Sequence, residues 1–180
     1  MLGKKLDLYD LNTREWNAPL SQTDHPKLIT ALEASQVIFL PNLSFTFEKD
    51  EQQFLTPTCL QEGSKNVSYN FLTGNLKGSS DKNSTLLKGL MHRFAVHSKM
   101  LINNLFLHYG KHLVWGRASY RPAEILGRET SYRKDDARLH IDAFPSLPTQ
   151  GNRILRVFSY INPFKKSRTW RLGEPFEEVA

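Results

Sequence analysis

Three features of the chain predict an α+β fold. Apolar residues recur at helical spacing between Leu87 and Leu105, the signature of a long amphipathic helix. After Leu113 the texture turns to short β-rich runs, and in the clearest, Arg153 to Ile161, the apolar residues alternate. Eleven Phe and a hydrophobic content of 39% supply a packed core and argue against a disordered chain. At 180 residues the expectation is one domain, with a helical part over about 1–110 and a β-rich part over about 113–180.

The elements follow in order. Order is expected to begin between about Thr30 and Leu43, with a short helix over Leu28 to Ala34. Val37 to Leu40 is β-rich and stopped by Pro41-Asn42, which reads as an early strand. Phe45 to Leu55 mixes apolar and charged residues and predicts a second helix ending before Pro57. Residues 61–83 are polar and predict a loop, with a strand at Val67 to Leu72. Gly74 and Gly78 flank Lys77 there, but no strand-loop-helix phosphate motif surrounds them. The long helix is expected near 84–109, capped by Asn83 or Ser84 and ended by Gly110. Strands are then expected over Leu113 to Tyr120, around Leu139 to Phe144, over Arg153 to Ile161 and over Thr169 to Leu172.

Charge and cysteine content narrow the partners. The formal net charge of +6 favours anionic partners or marks a solvated basic surface. Cys59 is alone, which excludes an intramolecular disulfide and a thiolate metal cluster, and it lies in no nucleophile motif. The N-terminus lacks the apolar core of a signal peptide, and no stretch reaches the roughly 20 apolar residues of a membrane span. The chain is expected to be soluble or peripheral, with a cytoplasmic location as the default.

One pair of residues carries chemistry. In Arg138-Leu139-His140-Ile141-Asp142-Ala143-Phe144-Pro145, the imidazole and the carboxylate stand two apart in a predicted strand, and so on one face of it. They supply two of the three ligands of the two-His, one-carboxylate site that holds non-heme Fe(II). An ordinary strand with a packed His140 and a hydrogen-bonded Asp142 fits the same pattern. No histidine follows His140. His92, His97 and His108 lack metal-ligand spacing on the long helix and read as surface or helix-end residues. Basic forks surround the pair, among them Arg133, Arg138 and Arg153, and can bind carboxylate or phosphate. Trp115, Tyr120, Tyr132, Phe144 and Trp170 are placed to stack on sugars or to serve as core and edge residues.

The string Ser131-Tyr132-Arg133-Lys134-Asp135-Asp136-Ala137-Arg138-Leu139-His140-Ile141-Asp142-Ala143-Phe144-Pro145-Ser146 resembles the Kdo 3-hydroxylase family. So do Arg121-Pro122-Ala123, Pro148-Thr149-Gln150-Gly151, Arg153-Ile154-Leu155-Arg156-Val157-Phe158 and Trp170-Arg171-Leu172-Gly173-Glu174-Pro175-Phe176-Glu177. The resemblance implies a partial double-stranded β-helix of the cupin-type jelly roll, flanked by N-terminal helices. It implies an Fe(II)/2-oxoglutarate dioxygenase that uses O2 to hydroxylate the third carbon of Kdo in lipid A or a lipopolysaccharide precursor, giving Ko. His140 and Asp142 would then be metal ligands, and Arg133, Arg138 and Arg153 would meet the substrate. A distal histidine and a 2-oxoglutarate-binding basic residue belong to the family pattern beyond Ala180. The chain is accordingly expected to be an incomplete, C-terminally truncated dioxygenase domain of low activity on its own. A non-catalytic basic β-domain that binds anionic glycolipid is the alternative, and nucleic acid is not an expected partner.

Overall fold

The computed structural model describes residues 8–21, 23–81, 84–122, 148–164, 166–168 and 170. The spine of the described protein is a helix, α2, over Thr85–Leu105, with two apolar clusters packed along it. At about 1.5 Å per residue, a helix of 21 residues runs for about 31 Å. Leu87, Leu90, Met91, Leu101, Ile102 and Leu105 recur at three- and four-residue steps and are all buried. The Ser84 hydroxyl accepts the Leu87 N–H and so caps the first turn, as expected. The helix ends four residues earlier than predicted. Phe106 leaves helical geometry and is itself buried, and Gly110 instead opens a single 3-10 turn, Gly110–His112. Burying the Phe106 ring in the core outweighed one more turn of helix.

The first cluster belongs to a βαβ unit. Strand β1 (Leu8–Asp10) lies parallel to β2 (Val37–Phe39), with Tyr9 opposite Ile38, and α1 (Asp24–Glu33) connects them. The described structure already includes β1 from Leu8, well before Thr30, and α1 starts four residues ahead of Leu28. Pro26 sits in the first turn of α1, where its missing N–H costs no helical bond. The helix closes in a Schellman motif. Gln36 N–H donates to Ala31 O at 3.0 Å and Ser35 N–H to Leu32 O at 3.0 Å, with Ser35 left-handed at φ 62°. Leu28 is fully buried against Leu101, Ile102, Leu105 and Phe106, which docks α1 on the C-terminal half of α2.

The second cluster lies under a three-stranded antiparallel sheet in the order β4-β3-β5. It comprises β3 (Val67–Asn70), β4 (Leu76–Lys77) and β5 (Arg117–Tyr120). Val67, Tyr69, Leu76 and Tyr120 pack on Leu87, Leu90 and Met91 of α2. β3 is shorter than predicted, because Asn70 turns the chain: its side chain accepts the Leu72 and Thr73 N–H groups. β5 likewise occupies only the second half of Leu113 to Tyr120. Gly78 follows β4 at φ 78°, and a Cβ there would stand 2.3 Å from the Asn66 carbonyl oxygen. Its glycine is required by backbone packing.

Two predicted elements take another form. The helix expected over Phe45 to Leu55 is reduced to a 3-10 turn, Asp50–Leu55. Residues 45–48 are irregular with alternating burial, and Phe45 is in the core. Residues 153–161 form no strand, although Leu155, Val157 and Ile161 face inward and Ile154, Phe158 and Tyr160 outward, as the alternation predicts. Their pleat matches a strand, but no described segment completes a ladder with them. The described sheets are open, and none closes into a barrel. No described helix is long and apolar enough to cross a membrane.

Candidate functional site

His140, Asp142, Arg133 and Arg138 lie outside the described residues, as do Tyr132, Phe144 and most of Thr169 to Leu172. The described residues include the chain on either side of this segment. Tyr120 ends β5 just before it, and residues 148–164 return after it. Two hollows share Phe45, Phe47 and Ile161, and the inner one also touches α2. The inner one, of about 50 Å³, is apolar, with Leu90, Met91 and Phe94 of α2 as its floor. The outer, open one holds about 450 Å³ and is rimmed by Gln52, Leu55, Asn162 and Pro163.

The chemistry of these walls is limited. Among the described residues, neither hollow is lined by a carboxylate, an imidazole or an amine. Tyr120 is the one titratable group among the described lining residues. Its hydroxyl donates to Phe54 O at 2.6 Å, and burial pushes its pKa far above the usual phenol value. The inner hollow can therefore bury apolar surface, and the described walls of neither hollow can move a proton near neutral pH.

An ion-pair network holds the Phe45–Phe47 wall. Glu51 is buried and accepts the Glu48 N–H at 2.8 Å and a short bond from the Arg93 guanidinium. Arg93 also donates to Thr46 O at 3.0 Å and lies over the Phe45 ring, 4.6 Å from its centre. The predicted helix over 45–55 hid this network. The two-residue spacing of Phe45 and Phe47 is the signal for an alternating, wall-forming segment.

Arg153 is described and is engaged. Its Nη1 donates to Glu33 Oε2 at 2.5 Å, and Glu33 also accepts the Tyr109 hydroxyl. The contact with Glu33 holds the Tyr109 phenol above its usual pKa. Among the histidines, His97 departs from the expected surface placement. It is half-buried, stacks on Trp16 at 5.4 Å, and has an Nδ1 without a hydrogen-bond partner among the described residues. Desolvation, then the Arg93 charge, lowers its pKa. Cys59 is buried, its thiol turned to Thr56 O at 3.4 Å, and burial raises its pKa, as its passive reading requires. Among the described residues no three His, Cys, Asp or Glu side chains gather closely enough to hold a metal.

Known proteins resemble the chain over nearly its whole length. Residues 15–180 match the model of the 3-deoxy-D-manno-oct-2-ulosonic acid (Kdo) hydroxylase family. Crystal structures of the Kdo hydroxylase KdoO, a non-heme Fe(II) alphaketoglutarate dependent dioxygenase, are close in fold. The cobalt(II) complex shares 46% identity at a TM-score of 0.90, covering 96% of this chain and 58% of that one. The complex with alphaketoglutarate and Fe(III) shares 45% identity at a TM-score of 0.88, over 95% of this chain and 57% of that one. The apo form shares 46% identity at a TM-score of 0.89, over 95% of this chain and 58% of that one. This chain thus spans less than two thirds of those solved chains. No match was found among the curated proteins. A family match that runs through both flanks and the His140-x-Asp142 string between them leaves one conclusion: the chain belongs to the Kdo hydroxylase family.

Proposed function

We propose that this protein is the Fe(II)-binding part of a 2-oxoglutarate-dependent hydroxylase acting on the third carbon of Kdo in lipid A or a lipopolysaccharide precursor. The carrying observation is the family match over residues 15–180, which contains His140 and Asp142. Nitrogen and oxygen donors of this kind suit Fe(II), and Cys59, buried and turned to the backbone, offers no competing thiolate. His140 and Asp142 would hold the metal. Iron so bound, with 2-oxoglutarate and O2, supplies the oxidising power that places a hydroxyl on the sugar.

The remaining roles fall to this chain's own side chains. Arg133, Arg138 and Arg153 are the forks for the substrate carboxylate and phosphates. For Arg153 the exposed pair with Glu33 must open first, a step that costs about 1 kcal/mol or less. The fold proposed for the β-rich part, about 113–180, is part of a cupin-type jelly roll, with a helical part over about 1–110. The enzyme acts in the cytoplasm, peripheral to the inner membrane.

Cobalt(II) titration of the purified chain, followed by absorption, tests the metal assignment. Asp142→Ala and His140→Ala are each expected to weaken binding at least about tenfold. Unchanged metal affinity in both variants refutes it. The rival reading, a non-catalytic basic domain for anionic glycolipid, draws on the absence of acidic residues between Asp81 and Glu124. It predicts glycolipid binding untouched by metal and no metal affinity to lose.

A further inference from the structure

The acid-free stretch between Asp81 and Glu124 holds seven Lys and Arg and four His. The fold gathers part of it on one surface. Asn70 of β3 pairs with Arg117 of β5 in an antiparallel ladder. The turn that follows Asn70 and the segment that precedes Arg117 therefore leave the sheet side by side. Lys99 of α2 marks the same place: its Nζ lies 5.6 Å from the Phe71 ring and 5.5 Å from the Trp115 ring. Next to those rings stand Leu72 and Val114, 82% and 96% exposed.

This surface is held in place. Phe71 stacks on His92 at 5.4 Å, and His92 Nδ1 meets the Tyr69 hydroxyl at 3.0 Å. Arg117 Nε donates to Ser68 Oγ at 2.6 Å. Among the described residues no carboxylate pairs with Lys99 or with the exposed Lys111, three residues before Val114. A lone exposed aliphatic residue is ordinary. Two at adjoining loop tips, beside ammonium groups that no described carboxylate neutralises, combine the two interactions that a bilayer offers. Cations meet headgroup phosphates, and short aliphatic tips enter the acyl boundary. A nucleic acid would use the cations and rings and leave Leu72 and Val114 without a role.

We propose that the turn 70–74 and the segment 111–117, with Lys99 between them, are the surface by which the protein docks on a bilayer containing anionic phospholipid. This deepens the peripheral placement given above without requiring the hydroxylase activity, since plain phospholipid vesicles carry no Kdo.

Sedimentation of the full chain with phosphatidylcholine vesicles, with and without phosphatidylglycerol, tests it. Binding is expected only with phosphatidylglycerol and is expected to weaken as salt rises. Leu72→Ser with Val114→Ser should weaken it about tenfold, and Lys111→Gln about fivefold. All three side chains are exposed, and an unchanged urea midpoint checks that the variants fold; Leu72→Ser alone serves should the double variant unfold. No binding to phosphatidylglycerol vesicles overturns the proposal. So does binding that survives loss of both aliphatic tips, which would point to a soluble polyanion. Neither result bears on metal affinity at Asp142, so the two assignments fail separately.

Discussion

Replacing Arg93 with Met isolates the network that fixes the Phe45–Phe47 wall. Met keeps most of the apolar stem and removes the guanidinium. Glu51 has a side chain only 5% exposed, and without Arg93 it keeps just the Glu48 N–H as a hydrogen-bond partner. Breaking a buried pair by removing one partner costs about 3–5 kcal/mol. Arg93 itself is a quarter exposed, so water that enters offsets part of this. Loss of the bond to Thr46 O and of the contact with the Phe45 ring adds about 1–2 kcal/mol. The net expectation is a destabilisation of about 3–4 kcal/mol, read as a fall in the urea midpoint at unchanged slope. Removing both charges, Arg93→Met with Glu51→Gln, should recover at least about 1 kcal/mol relative to the sum of the single changes. A single-variant cost below about 1 kcal/mol, or strict additivity, would show that Glu51 finds water in solution and that the network does not hold the wall.

Three further expectations follow from local geometry. Ser35→Gly should stabilise by about 1 kcal/mol in urea titration, because Ser35 is left-handed where α1 closes; no gain would mean that the Schellman turn relaxes in solution. Gly78→Ala should cost more than about 2 kcal/mol or abolish folding, since both its φ and the Asn66 carbonyl exclude a Cβ; a normal midpoint would contradict the packing. For His97 the folded pKa is below the usual 6.5, so the unfolded chain takes up a proton first as pH falls. Stability is then full above about pH 6.5 and drops as pH falls through that value towards the folded pKa. His97→Gln should flatten this loss in thermal melts between pH 7.5 and 5.5, and an unchanged slope would exclude His97 as its source.

How much of the fold was legible in the sequence depended on whether a signal was local. The spine α2 was readable because its apolar spacing and the Ser84 cap are both contained in the helix itself. Its end was not, because Phe106 leaves the helix to fill a cluster with Leu28, a residue distant in sequence. β1 is three residues long and carries no periodicity, and its strand exists only because β2 lies alongside. The acidic run after Phe47 suggested a helix over 45–55. The buried role of Glu51, paired with Arg93 on α2, is a tertiary fact that no local pattern records.

Residues 153–161 show where a pattern stops informing. Alternation states which side chains face the core, and here it was right at Leu155, Val157 and Ile161. It does not state which backbone, if any, completes the ladder. That depends on an edge elsewhere, and an apolar outward face at Ile154, Phe158 and Tyr160 is what an extended segment presents when no described strand covers it. The His140-x-Asp142 pair has the same status. Two-residue spacing puts an imidazole and a carboxylate on one side of a strand, but metal binding needs a third donor brought by the fold. The motif became interpretable only when read with the long string around it, because a shared string carries tertiary information that two residues cannot. Function in such a site is therefore legible in the sequence to the extent that neighbouring residues record the fold which positions it.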